Sequence, residues 1–479
     1  MKNKYIIKLV PISLLLITLF FGTYKLTESP PTWYDEGIIL QPAINLARLG
    51  GMFVQISPSE QISAQFISTG YTVIYPISLV FKYFGISLLN ARLIMLVYLI
   101  VFVCASFLLA QRIFGFKYAS LGTLLLVSFP PLYGNGKNVL GEVPGLLFLI
   151  LFLYFINKIE HNYKKTFYYI LAGVFSGLCV VTKPLFLVLL GAVFLSIILF
   201  RRKIDFYWQK ICLGILSFFI PFFVWVSTQF KGSEVLSDVF GYYSNPYGIK
   251  DIWSQIFINL GRFFTELTPT YFLGLFIIWV IAIIIRIKTK KNLSLTETIA
   301  FIFSLLIFIA YFRTFGWYRY FFVAHIVTLI FTPSSVFIIY IFFKNHFKFF
   351  KKKLFAPLIA IFILIVFQFY QLGFNSWVAD YYSSNKTHIL SDYFSEFEKD
   401  KSVFFYNSPE LIVFLPHNNY YQYLEITDSF LIGQNQIEKI QNKEPDIIVI
   451  KRPELEKDIN AFTSYTIMGR IDRYILLEK

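Results

Sequence analysis

The chain has 479 residues, of which 57% are hydrophobic, 20% aromatic and only 15% charged, against about 45–50% apolar and about 25% charged in soluble domains. With a mean hydropathy of +0.63, this composition excludes a soluble globular protein, because so much Phe, Ile and Leu needs lipid as its solvent. The formal charge of +15 divides by position: residues 1–375 hold 32 Lys and Arg against 12 Asp and Glu, a net +20, and residues 376–479 hold 11 against 16, a net −5. A basic excess confined to short segments between apolar runs is a mark of membrane topology and argues against nucleic acid as a partner.

The first run follows Lys2, Lys4 and Lys8 and extends from Leu9 to Gly22. No small-x-small cleavage pattern follows it, since the chain continues Thr23, Tyr24, Lys25, so it is predicted to be a retained signal anchor. Eleven apolar runs are predicted to span, near 5–24, 89–111, 118–134, 142–157, 168–182, 184–200, 211–228, 270–285, 298–312, 318–343 and 354–373. A further run, Tyr71–Gly85, is shorter and carries Pro76 and Lys82. If it does not cross, 21 of the 32 membrane-part cations fall on the N-terminal side in six short segments, from Lys2 to Lys353. If it crossed, that asymmetry would collapse, so the run is predicted to lie in the outer interface. Cys104, Cys179 and Cys212 all lie inside apolar runs, where Cys acts as a small hydrophobe.

This topology puts nine of the twelve membrane-part carboxylates outside: Glu28, Asp35, Glu36, Glu60, Glu142, Glu234, Asp238, Asp251 and Glu266. Two long outer segments result, 25–88 and 229–269. The acidic tail alternates strand-like runs (Ser402–Tyr406, Asp446–Ile450, Tyr474–Leu477) with polar helical stretches (Thr387–Lys399, Asn435–Gln441), which predicts a compact α/β module. The predicted protein is therefore an α-helical polytopic protein of the cell membrane with about eleven transmembrane helices and outer juxtamembrane helices. Residues 1–375 form the membrane domain, and residues 376–479 a small extracytoplasmic α/β domain. The N-terminus is predicted to be cytoplasmic.

Candidate chemistry gathers outside. Pro30-Pro31-Thr32-Trp33-Tyr34-Asp35-Glu36-Gly37 sets two adjacent acids among aromatics at headgroup depth, where lipid-linked substrates present their heads. A carboxylate there is costly to keep charged unless used or paired. The alternative is a solvated acid pair in a loop. His325 falls mid-helix on an apolar face and reads as a packed histidine. The aromatic stretch 241–248 reads as an interfacial anchor, the alternative being a sugar or acceptor groove lined by stacking rings.

WYDEGIILQPAINLARLGG and TGYTVIYPISLVFKYFGISLLNARLIMLVY, with FPPLYGNGKNVLGEVPGLLFLILFLY around Glu142, AGVFSGLCVVTKPLFLVLL around Lys183 and GWYRYFFVAHIVTLIFTP around Arg319 and Tyr320, resemble the GT-C glycosyltransferases of the protein O-mannosyltransferase, aminoarabinose transferase and Rgt-like type. The resemblance runs in order over residues 1–345. It implies inverting transfer of a sugar from a polyprenyl-phosphate carrier to an acceptor hydroxyl on a lipid, glycan or protein. A hydroxyl needs a general base within reach, and a carboxylate beside a water-poor interface is a stronger base than one in bulk water. Asp35, with Glu36 beside it, is predicted for that role. The departing phosphate needs positive charge, for which Lys183, Arg319, Lys137 and Arg262 are the candidates. Lys183 and Arg319 stand at helix ends, where snorkelling cations are ordinary. Glu142 is a metal ligand, an orienting partner of the base or a contact to a sugar hydroxyl, unless it merely caps its helix. The cofactor is unknown; a divalent metal ion is one source of the charge, although no His precedes His161. The competing readings are a transporter or flippase for lipid-linked glycans, which needs charges in mid-helix, and a non-catalytic envelope scaffold.

Overall fold

The computed structural model describes residues 2–200, 207–230, 249–290, 293–346, 355–397, 400–417, 419–427, 430–457 and 462–479. Every one of the eleven apolar runs falls on helix. They are α1 (Lys2–Thr23), α4 (Leu88–Phe114), α5 (Phe116–Val127), α7 (Glu142–His161), α8 (Thr166–Thr182), α9 (Val188–Phe200), α10 (Trp208–Gln229), α12 (Leu267–Lys288), α13 (Leu295–Tyr311), α14 (Arg319–His346) and α15 (Ala356–Phe374). Among the described residues, six helices are long and apolar enough to cross a bilayer, and five shorter apolar helices run to 10–17 residues, below the ~20 residues a perpendicular span requires. The chain is a multi-pass membrane protein.

One run differs from its prediction. Residues 118–134 form two helices, α5 and then α6 (Pro130–Lys137). Pro130 and Pro131 supply no amide hydrogen, and they disfavour helical backbone in the residue before them, so α5 ends and a new helix begins with proline in its first turn. The membrane helices share one apolar core, running from Leu14 through Leu99, Leu146, Phe186, Trp279 and Phe303 to Leu372.

Segment 25–88, predicted to lie outside, is more structured than a loop. It contains α2 (Tyr34–Leu49), a hairpin of β1 (Phe53–Ser57) and β2 (Glu60–Ser63), and α3 (Tyr71–Phe84). At 1.5 Å per residue α3 is about 21 Å long, too short for a hydrocarbon core of about 30 Å. It buries Val73, Ile74, Ile77 and Phe81 and exposes Tyr75, Leu79 and Tyr83, a two-faced pattern that fits an interfacial helix. In segment 229–269, α11 (Ile252–Thr265) exposes Trp253, Phe257 and Phe264 and buries Asn259 and Phe263. The aromatic stretch 241–248 lies outside the described residues.

The tail holds a six-stranded sheet. Its strands are β3 (Val403–Tyr406), β4 (Tyr420–Thr427), β5 (Phe430–Ile432), β6 (Ile447–Lys451), β7 (Thr466–Ile471) and β8 (Tyr474–Glu478), in the order β5-β4-β3-β6-β8-β7. Strands β4, β3 and β6 run parallel and the remaining pairings are antiparallel. The three strand-like runs in the sequence became β3, β6 and β8. Helix α17 (Lys386–Ser395) is shorter than its predicted stretch of 387–399. The sheet does not stand apart: Val403, Phe405, Leu411, Leu424 and Leu476 share a core with Ile38, Leu40, Val54, Ile74 and Ile77 of segment 25–88. Gln41 and Gln422 exchange side-chain hydrogen bonds in this core, at 3.1 and 2.7 Å. The Glu28 carboxylate accepts from the amides of Thr387 and His388, at 3.0 and 2.9 Å, closing the start of α17.

Gly37 marks the closest approach between α2 and the tail. A Cβ there would overlap the backbone of Pro409 and Glu410, which is not a flexible side chain that can swing away. Gly37→Ala is expected to lower the thermal unfolding midpoint in detergent by several degrees, the overpacking costing about 1–3 kcal/mol. An unchanged midpoint would mean that α2 and the tail do not pack.

Candidate active site

The two acids that are adjacent in sequence have opposite surroundings. Both lie in the first turn of α2, where acids suit the helix dipole, and neighbouring helical residues point about 100° apart. Glu36 turns inward and is fully buried with Arg92. Arg92 donates from Nε and Nη2 to the two carboxylate oxygens at 2.9 and 2.6 Å, and from Nη1 to the carbonyls of Leu26 and Pro30 at 2.9 and 2.7 Å. The amide of Val139 also donates to Glu36, at 3.0 Å. Glu36 is thus saturated, holding together α4, the turn after α1 and the segment before α7.

Asp35 turns outward. Its side chain is 31% exposed, whereas those of Glu36 and Glu142 are 0% and 1% exposed, so of the three singled-out acids it is the most accessible. Its partner is Arg319, whose Nη1 donates to Asp35 Oδ2. The Arg319 guanidinium is set among the rings of Trp33, Trp317 and Tyr320, at 5.5, 4.8 and 5.2 Å from their centroids, and such faces hold a guanidinium in place.

Glu142 opens α7, and one of its oxygens accepts from Lys183 Nζ. Two of the four candidate cations are therefore paired with two of the candidate acids. The other two do different work. Lys137 is fully buried and donates to the carbonyls of Tyr24 and Ser29 at 2.8 and 2.9 Å. Burial, with the charge of Arg92 nearby, pushes its ammonium down to about 7, a poor setting for binding a phosphate. Arg262 bonds Glu266 and the carbonyl of Gly316, both at 3.2 Å. With Asn259, whose amide reaches Thr314 O at 2.7 Å, it braces the loop that delivers Arg319.

Among the buried polar atoms without a partner, which are spread through the described residues, are Thr32 Oγ1, Trp33 Nε1, both amide atoms of Asn138, Glu142 Oε2 and Arg319 Nε. Buried polar groups are nearly always satisfied, and Trp33 and Arg319 bring two of these atoms to the wall of a cavity where a ligand could supply the missing bonds. That cavity has a volume of about 570 Å³ and is lined by Trp33, Asn135, Tyr271, Trp317, Arg319 and Gln371. A polar chain runs along its wall: Ser128 Oγ donates to Gln368 Oε1 (2.6 Å) and Gln368 Nε2 to Tyr271 Oη (2.9 Å). His325 sits behind that wall, fully buried among Phe129, Tyr271, Phe272 and Tyr318, the packed histidine that its position predicted.

Arg92 and Asn138 escaped the sequence reading. Arg92 follows an Asn-Ala pair at the start of a helix, where an arginine reads as an interfacial anchor. The one available signal was the excess of outer acids, since a buried acid demands a buried cation. Among the described residues, no group of three His, Cys, Asp or Glu side chains is arranged to hold a metal ion.

Residues 70–225 match the family model of dolichyl-phosphate-mannose-protein mannosyltransferases. No curated protein matches the chain in sequence. In fold it is similar to ArnT from Cupriavidus metallidurans bound to undecaprenyl phosphate, with a TM-score of 0.66 and 12% identity, covering 98% of this chain and 97% of that one. It is also similar to the Archaeoglobus fulgidus oligosaccharyltransferase in complex with Zn and sulfate (TM-score 0.59, 13% identity, 93% of this chain, 68% of that one). A third structure, AglB of the same organism with an inhibitory peptide and a dolichol-phosphate, gives a TM-score of 0.55 at 12% identity, covering 96% of this chain and 71% of that one. The resemblance to the GT-C glycosyltransferases is thus borne out, in fold over nearly the whole chain and by the family model over residues 70–225.

Removing one partner of a buried pair leaves an uncompensated charge, at a cost of about 3–5 kcal/mol. Arg92→Met is therefore expected to lower the unfolding midpoint sharply or to prevent recovery of monodisperse protein, whereas Asp35→Asn, at a partly exposed pair with fewer hydrogen bonds, is expected to lower the midpoint much less. Similar midpoints for the two variants would contradict the contrast between the pairs.

Proposed function

We propose that the chain is an inverting membrane glycosyltransferase that moves a sugar from a polyprenyl-phosphate donor to a hydroxyl of a lipid, glycan or protein acceptor. The reaction is assigned to the outer face, with the N-terminus inside and the sheet outside. The observation that carries this reading is the partly exposed Asp35, paired with Arg319, which together with Trp33 lines the 570 Å³ cavity and, like Trp33, carries a buried polar atom without a partner. It is supported by the fold shared with proteins bound to undecaprenyl phosphate and dolichol-phosphate.

In this reading the donor phosphate approaches Arg319 and Lys183. Arginine binds phosphate through paired donors, so the phosphate draws Arg319 from Asp35 and the carboxylate is freed as the donor arrives. The acceptor oxygen then attacks the anomeric carbon from the face opposite the phosphate. The bond from that carbon to the phosphate oxygen breaks, its electron pair leaves with the polyprenyl phosphate, and the hydroxyl proton passes to Asp35. Glu36 does not touch substrate; it positions Asp35 by fixing the first turn of α2. Lys137 and Arg262 position the neighbouring backbone. Glu142 holds Lys183, and its second oxygen is open to a sugar hydroxyl. That oxygen also suits magnesium, which is commonly bound by one or two carboxylates together with substrate phosphates.

Mass spectrometry of envelope glycans tests the activity. Cells without the gene are expected to lose one sugar residue, which the parent chain restores. Asp35→Asn is expected to slow transfer by a factor of about 10²–10⁴, the range for a lost general base. In membranes supplied with a panel of polyprenyl-phosphate sugars, Arg319→Met is expected to raise the donor KM. Full restoration of the glycan by Asp35→Asn would overturn the base assignment, and an unaltered glycan profile in the deletion strain would overturn the activity.

A further inference from the structure

A second and larger cavity, of about 800 Å³, is lined by α7, α8, α9, α10 and α13 and is half open, with Leu190, Ile215 and Phe219 of its lining exposed. Its wall is apolar, with Phe152, Ala172, Val193, Ile215, Phe218 and Ile299 among the lining. It owes its existence to uneven helix spacing. A Cβ at Gly173 would overlap the carbonyl of Gly214, so α8 and α10 touch backbone to backbone, and the hairpin partner α9 is left spaced from them around an open chamber.

The rim of this chamber is polar at one end. Glu160 and Tyr163 line it there, at the ends of the helices that carry the cations. Lys210 Nζ donates to the carbonyls of Tyr163 and Lys164, at 3.3 and 2.7 Å. It also stands 4.5 Å over the Tyr207 ring, which stacks on Tyr163 at 5.4 Å. Lys164 and Lys165 are exposed beside it. Among the described residues one carboxylate, Glu160, lines the chamber, and it is already engaged: it accepts from the amides of Leu295 and Thr296 and from the Thr296 hydroxyl, so its charge meets the first turn of α13. The exposed charges described beside it are positive.

We propose that this chamber is a binding site for an anionic diacyl phospholipid of the leaflet opposite Asp35, its acyl chains in the chamber and its phosphate at Lys164, Lys165 and Lys210. Basic pockets between membrane helices bind anionic headgroups, and tyrosines favour headgroup depth. The occupant differs from the sugar donor, whose phosphate must reach Asp35 at the far ends of the helices. Only the naming of the leaflet rests on the proposed topology; the site itself does not depend on the proposed activity.

The test uses the full chain, stripped of lipid in detergent and titrated with phosphatidylglycerol or phosphatidylcholine under native mass spectrometry. One phosphatidylglycerol is expected to be retained per chain, preferred over phosphatidylcholine by about fivefold for each lysine engaged. The triple variant Lys164→Gln, Lys165→Gln, Lys210→Gln is expected to erase that preference, and Val193→Trp, which fills the chamber, to remove the retained lipid. Phe194→Trp, at an outward-facing neighbour, is expected to bind as the parent does and serves as the folding control. Equal retention of the two lipids by the parent chain, or retention unaltered by Val193→Trp with its unfolding midpoint intact, would overturn the proposal. So would a polyprenyl phosphate as the resident lipid displaced by Val193→Trp.

Discussion

The arrangement of the candidate site depends on one buried ion pair, Glu36 with Arg92. Burying two charges costs several kcal/mol each, repaid only when the geometry is close and the remaining donors and acceptors are satisfied. Here they are: Arg92 uses both carboxylate oxygens and two backbone carbonyls, and Glu36 takes an amide from Val139 as well. Those partners come from separate stretches of chain, the turn at 26–30, the first turn of α2, the start of α4 and the segment before α7. The pair thereby sets where Asp35 stands relative to Glu142 and Lys183, although it never faces the cavity itself.

A second constraint is that lipid offers no hydrogen bonds, so polar chemistry must collect at helix ends and in the outer layer. The layer formed by segment 25–88 and the tail has a core of its own, in which α2, the hairpin and α3 share apolar side chains with the six-stranded sheet. Gly37 admits the backbone at Pro409 and Glu410, and the Gln41–Gln422 exchange keeps that core polar-satisfied at its centre. The acidic tail therefore bears directly on the helix that presents Asp35.

How much of this was legible follows from the solvent. Apolar runs such as 89–111 and 354–373 are readable because lipid makes hydrophobicity nearly a sufficient condition for helix. The break at Phe129-Pro130-Pro131 was readable in principle from the prolines, yet a hydropathy window passes over it. The hairpin at 53–63 was not, since its strands are short and half polar. At the site, Asp35, Glu142, Lys183 and Arg319 could be picked out because charge is scarce. Their pairing could not, because Asp35 and Arg319 lie 284 residues apart. Nor could the difference between Asp35 and Glu36, which is a matter of helical phase: one residue's rotation turns one carboxylate toward Arg319 and solvent and the other into the protein.

The two acid–cation pairs also differ in how readily they yield. Glu142 and Lys183 have side-chain exposures of 1% and 11%, and Asp35 and Arg319 of 31% and 15%. Water screens an ion pair more the further it penetrates, and it reaches the carboxylate of the second pair but not that of the first. An arriving phosphate therefore displaces Asp35 from Arg319 more easily than it displaces Glu142 from Lys183. Within the proposed reaction, the weaker pair becomes the switch: without donor, Arg319 occupies the carboxylate, and with donor, the same cation moves onto the phosphate and leaves the base exposed. The rings of Trp33, Trp317 and Tyr320 hold the guanidinium through that exchange, since a cation on an aromatic face keeps one set of contacts while it changes anions.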